Sequence, residues 1–257
     1  MIKLTYFGDK AQQITYWARI VLQDFLLSSM KSKWHIILPV LLFITIIIAG
    51  CKNHSASSLI SPVAPSPASL QKLMDGNSRF AHWQPIHPDE SRQRVIEISR
   101  AQHPFAVVIA CSDSRVSPEL IFDQGLGDLF VIRTAGNLIG GLEIGSVEYA
   151  VEHLGVDLIV VLGHQQCGAV KAFVGGGEVH GHIKDIIDSL KNEKEISNVS
   201  LNDKNRLDDC IRANILHGIH QLKEQSAIIK EKLDSKQLQI KACYYDLEKG
   251  IVSIVKE

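Results

Sequence analysis

The 257-residue chain has no CxxC pair, no internal repeat and almost no net charge. Each absence removes a class of protein. Five cysteines (Cys51, Cys111, Cys167, Cys210 and Cys243) scattered along a chain of this length do not form a dense disulfide scaffold. The 27 Lys/Arg and 28 Asp/Glu leave a formal net charge of −1. Five of the basic and two of the acidic residues fall in the first 51, so the remainder carries 22 against 26, a net of −4. Such a surface lacks the positive field that nucleic acid or an anionic membrane surface requires.

What is present begins with an apolar run. "MKSKWHIILPVLLFITIIIAGC" (30–51) places Lys31 and Lys33 before an uncharged stretch, Ile36 to Ile48, followed by Ala49, Gly50 and Cys51. This is the layout of a secretory signal. The stretch is short for a membrane span, which needs about 20 residues. Its ending, "IAGC", resembles the lipobox of bacterial lipoproteins. That resemblance implies cleavage before Cys51, lipidation of Cys51, and an envelope protein facing the periplasm. Lys52 after the cysteine favours the outer membrane. Residues 1–29 do not fit a signal, and Met30 is the expected start of translation. The predicted organisation is therefore a signal region (1–50), a Ser/Pro/Ala tether (51–69) too poor in large apolar residues to build a core, and one domain (70–257).

In that domain "PFAVVIAC" (104–111), "DLFVIRTA" (128–135) and "DLIVVLGH" (157–164) are short apolar runs rich in β-branched residues, the pattern of buried strands. Helical spacing lies between them, at 142–155 and 167–174, and again from Asp208 to Ile229. Ser69 is the expected cap of a first helix. The chain closes as strand, turn and strand in "LQIKACYYDLEKGIVSIV". Alternation of this kind predicts an α/β fold, a central, mainly parallel sheet flanked by helices. Ligands in such folds gather at the carboxyl ends of the strands.

Two of the predicted strands end in reactive residues. One reads "VVIACSDSRVSPE" (107–119), with Cys111, Asp113 and Arg115 at alternate positions. The other ends in "GHQQC", His164 to Cys167. If the strands are parallel neighbours, two thiols and one imidazole meet. Two cysteines and a histidine make a zinc site with one position open, the catalytic pattern rather than the closed structural one. Taken singly the pieces have plainer readings. A buried cysteine is a small hydrophobe, and "SDSR" is a helix cap with a surface ion pair.

Together, "CSDSRVSPE", "GDLFVIRTAGN" and "GHQQCGAV" resemble the β-class carbonic anhydrases, over roughly residues 70–257. The resemblance implies a dimer-forming fold of that type, working as a homodimer or higher even oligomer. It implies one Zn²⁺ per chain on Cys111, His164 and Cys167, with Asp113 and Arg115 as a catalytic dyad. The implied reaction is reversible hydration of carbon dioxide to bicarbonate and a proton by zinc-bound hydroxide. In a closed state Asp113 becomes the fourth zinc ligand. Val108, Gln124, Phe130 and Asn137 are candidates for the substrate pocket. The competing functions are hydrolysis of carbonyl sulfide or carbon disulfide on the same site, and a non-catalytic zinc-binding envelope protein. His217 and His220 are read as surface or packing residues, and 184–209 as a solvated helix face. Cys210 and Cys243 remain, as a disulfide or as two buried thiols.

Overall fold

The computed structural model describes residues 67–202 and 204–256. The signal region, Met30, Cys51 and the tether as far as residue 66 lie outside the described residues. Helix α1 (Pro67–Ala81) starts three residues before the predicted boundary. Ser69 is therefore not its cap but lies within its first turn, where its hydroxyl donates to Asp157 at 2.9 Å. Pro67 needs no amide partner at a helix start, which is why proline is tolerated there.

Five strands follow: β1 (Ala106–Cys111), β2 (Leu129–Thr134), β3 (Leu158–His164), β4 (Gln239–Tyr245) and β5 (Val252–Ile254). They form one sheet in the order β2-β1-β3-β4-β5. The first four are parallel, and β5 returns antiparallel to β4. The helices in chain order are α2 (Arg92–Ile98), α3 (Pro118–Ile121), α4 (Gly141–His153), α5 (Gly168–Gly175), α6 (Ile183–Lys191), α7 (Lys194–Ser197), α8 (Arg206–Gln225) and α9 (Ala227–Asp234). A short 3₁₀ turn, Ala135–Asn137, follows β2. No helix among the described residues is long and apolar enough to cross a membrane.

β1 and β3 are buried along their whole length, so their side chains divide between two cores. On one face Val107, Ile109, Ile159 and Val161 pack with Ile211, Ile215 and Ile219 of α8. On the other, Val108, Ala110, Val160 and Leu162 pack with Leu73 of α1 and with Ile121 and Phe122. Burial on both faces explains the uninterrupted apolar runs. Gly163 carries no side chain because Ile215 stands in its place: a Cβ there would lie 2.5 Å from Ile215 Cδ1.

The helix predicted over 208–229 is two. It breaks at Ser226, whose backbone is extended and whose hydroxyl accepts from the Ile229 amide, capping α9. The same hydroxyl donates to Glu148 Oε1 of α4 at 2.6 Å. The stretch 184–209 is not a solvated face throughout. Ile187, Leu190, Glu193 and Ile196 are buried.

Candidate metal centre

Strand order decides where the reactive residues meet. From β1 the chain passes to β2 on one side, and from β3 it passes to β4 on the other. The crevice between β1 and β3 is thus a switch point, where open sheets bind ligands beyond the carboxyl ends of their strands. Cys111 is the last residue of β1 and His164 the last of β3. Cys167 follows three residues on, in the N-cap position of α5.

Cys111, His164 and Cys167 are all buried, and their ligand atoms lie within 4.8 Å of one another. His164 is fully enclosed, with its Nδ1 2.8 Å from the Gln165 carbonyl oxygen. A carbonyl only accepts, so Nδ1 carries the proton and Nε2 presents its lone pair. That Nε2 is buried and has no hydrogen-bond partner. An orphaned buried acceptor is costly, and here it faces two thiols. A hydrogen bond from Cys167 pushes the Cys111 thiol down to about 4, against burial and with help from His164 and from the Asp113 and Gly136 amides. The Cys167 thiol, donating to Cys111 and buried, is held well above the usual range. Two sulfurs and one imidazole nitrogen, one of them already inclined to be thiolate, suit zinc.

Asp113 and Arg115 form a fork. Arg115 Nε donates to Asp113 Oδ1 at 2.9 Å and its terminal nitrogen to Oδ2 at 2.7 Å. The Arg115 amide adds a third bond to Oδ1 at 3.0 Å. Bidentate pairing of this type is the strong form of a carboxylate contact. Hydrogen bonding by Arg115, only partly offset by burial, holds the Asp113 carboxyl far below the ordinary carboxylate range. Asp113 Oδ2 is also 3.9 Å from His164 Nε2. The carboxylate stands beside the three donors while bound to Arg115.

Sequence reasoning missed Arg133, although it lies inside "GDLFVIRTAGN". Its guanidinium spans the turn after β1, donating to the carbonyls of Cys111 at 3.0 Å and Asp113 at 2.7 Å. Nothing in its spacing marked it; only the register of β1 on β2 brings it there. Gln165 was missed too. Its Oε1 accepts from the Leu247 amide, tying the loop after β3 to the end of β4.

The pocket candidates fare unequally. Val108 lies three residues before Cys111 on β1, an odd separation: it points to the opposite face and is wholly packed between Leu73, Phe122 and their neighbours, so it lines no pocket beside the thiols. Gln124 sits against Gly76 of α1, donating to the Phe122 carbonyl at 2.8 Å. Phe130 is half-buried on β2, its ring 6.3 Å from that of Tyr149. Asn137 is buried in the 3₁₀ turn, next to Gly136, whose amide donates to Cys111 Sγ at 3.3 Å. Of the four, the structure brings Asn137's turn into contact with the cluster.

The sequence pattern of the carbonic anhydrase family matches residues 106–252. A carbonic anhydrase of Mycolicibacterium smegmatis is 41% identical over 194 residues, covering 73% of this chain and 92% of its own length. Carbonic anhydrase 2 of Mycobacterium tuberculosis is 38% identical over 190 residues, covering 71% of this chain and 89% of its own. Among solved structures, that of the β-carbonic anhydrase CcaA superposes with a TM-score of 0.60 at 31% identity, over 73% of this chain and 95% of that one. The Coccomyxa β-carbonic anhydrase in complex with acetazolamide gives 0.56 at 26% identity, over 73% and 86%.

Proposed function

Since the chain belongs to the carbonic anhydrase family and catalyses the reversible hydration of carbon dioxide to bicarbonate, we propose that it does so with one zinc ion held by Cys111, His164 and Cys167. The observation that carries this reading is the unpartnered, buried Nε2 of His164 facing two convergent thiols. Zinc, when bound, supplies a Lewis acid that brings the pKa of a water down to about 7.

The remaining work belongs to the protein. His164 is kept in one tautomer by the Gln165 carbonyl, so its lone pair is presented without a rotational search. Asp113, ionised and held by Arg115, can only accept hydrogen bonds. A reacting water that donates its proton to Asp113 has its lone pair turned away from the carboxylate, toward carbon dioxide. Arg115 also keeps Asp113 from swinging to the donors as a fourth ligand. Arg133 fixes the backbone from which both Cys111 and Asp113 project. The test is zinc content and hydration rate of the purified chain: one zinc per chain with activity is expected. Activity that persists without Cys111 would refute the assignment.

The same reading extends to delivery and assembly. The chain is cleaved before Cys51, lipidated there, and held at the bacterial envelope facing the periplasm; what supports this is "IAGC" behind a basic, then apolar, segment. Mass spectrometry of membrane-extracted protein should find an acylated N-terminal cysteine, and an intact Met30 terminus would refute it. The protein works as a homodimer or higher even oligomer. In support, Trp83, Ile86 and Leu142 are large apolar side chains left exposed. Sedimentation at micromolar concentration checks this, and a monomer would contradict it.

A further inference from the structure

The turn between β2 and α4 runs past the Cys111 thiol and the start of α5, and its shape is unusual. Gly136 has φ +70 and Asn137 φ +47, two successive residues in left-handed backbone. Gly136 takes this conformation freely, whereas Asn137 does so at a conformational cost that its surroundings must offset. One side of the hold is α5: a Cβ on Gly136 would lie 2.9 Å from Ala169 Cβ, two residues past Cys167. The other side is α8. Asn214, buried and far along the chain, donates from Nδ2 to the Gly136 carbonyl at 2.8 Å. The Gly136 amide in turn donates to Cys111 Sγ at 3.3 Å.

These contacts form one chain, from Asn214 amide to Gly136 carbonyl to Gly136 N–H to the sulfur of Cys111. Glycine is free to rotate about φ, so its N–H points at sulfur only if something fixes the residue. The carbonyl of that same residue is what Asn214 grips. An N–H aimed at a thiolate neutralises part of its charge and orients its remaining lone pairs. We infer that Asn214 is a positioning residue of the metal centre, holding Gly136 so that its amide orients Cys111 for the metal. Asn214 touches neither substrate nor metal. The inference rests on Cys111 being a ligand.

The experiment uses the full chain with zinc removed. Zinc affinity is measured by competition with a chelator, for wild type, Asn214→Asp and Asn214→Ser. Asn214→Asp keeps the shape but turns an acceptor toward the carbonyl; Asn214→Ser is the milder change. Loss of an outer partner of this kind typically weakens metal binding roughly 10–100-fold, and Asn214→Asp should fall in that range, with Asn214→Ser between it and wild type. The second readout is ¹¹³Cd-loaded protein, in which the wild-type Gly136 amide proton should show scalar coupling to cadmium through Cys111 Sγ. The coupling should shrink or vanish in the variants. A merely structural asparagine would lower thermal stability and leave both readouts alone. Unchanged affinity and coupling in a folded variant overturn the inference, and so does absence of the coupling in wild type. Failure of wild type to take up zinc refutes the metal reading instead, so the two failures are distinguishable.

Discussion

Four cysteines lie in the described residues, all buried and none in a disulfide. Two of them, Cys111 and Cys167, sit at the carboxyl edge of the sheet and converge with His164. The other two, Cys210 and Cys243, sit inside α8 and β4. They belong to cores on opposite faces of the sheet, so no disulfide joins them. Burial in both cases goes with opposite chemical results. For Cys243, burial alone pushes the thiol up to about 12. For Cys111, a neighbouring thiol, His164 and two amides outweigh burial and bring it down to about 4. Enclosure makes a cysteine inert; converging donors suit it to bind a metal.

The contrast is broken most completely at Cys111. Cys111→Ser should lose the metal and reduce hydration to background, whereas Cys243→Ser and Cys210→Ser should keep one zinc per chain. Metal analysis beside stopped-flow hydration separates the cases. Next in size is the dyad. Asp113→Asn and Arg115→Ala should keep zinc and lose about 10²–10⁴-fold in rate, the usual worth of a proton-handling or orienting group. Wild-type rates in Asp113→Asn would show that the carboxylate has no such role.

Two changes sharpen the contrast through stability. Gly163→Ala leaves every ligand side chain in place but drives a Cβ to 2.5 Å from Ile215. Overpacking of this kind costs about 1–3 kcal/mol, read as a fall in urea midpoint. Cys243→Ser places a hydroxyl in the apolar cluster around Val108 and Leu162, and a buried polar group left unsatisfied there also costs about 1–3 kcal/mol. The last change repeats the comparison with carboxyls. Glu195 is flanked by His217 and His220, and their hydrogen bonds overcome burial to hold it down to about 2. Glu193, buried with Oε2 unpartnered, is pushed up to about 8 by burial and then by Glu195. Its folded pKa lies above its unfolded one. Between about 4.5 and about 8 the unfolded chain therefore binds fewer protons, and stability falls as pH rises through that window. Glu193→Gln should flatten that slope in denaturation curves at pH 5 and pH 8. An unchanged slope would show that Glu193 titrates normally.

The sheet was legible because β1 and β3 are buried on both faces and so read as unbroken apolar runs. Their ends were legible because thiol, imidazole and carboxylate interrupt those runs abruptly. What could not be read is what depends on register across distant segments. Arg133 reaches Cys111 only through the pairing of β2 with β1. Asn214 reaches Gly136 from 78 residues away. Val108 was misplaced because a fully buried strand offers no alternation of polar and apolar residues to show which face holds the site. The break at Ser226 was hidden by apolar periodicity continuing across it, through Leu222 to Ile229, and the charged look of 184–209 concealed Glu193 and the grip of two histidines on Glu195.

X-ray absorption at the zinc edge of the purified protein tests the central claim most directly. The account predicts one zinc per chain with two sulfur neighbours at about 2.3 Å and one imidazole nitrogen at about 2.0–2.1 Å. A zinc shell without sulfur, or one with four, would contradict it.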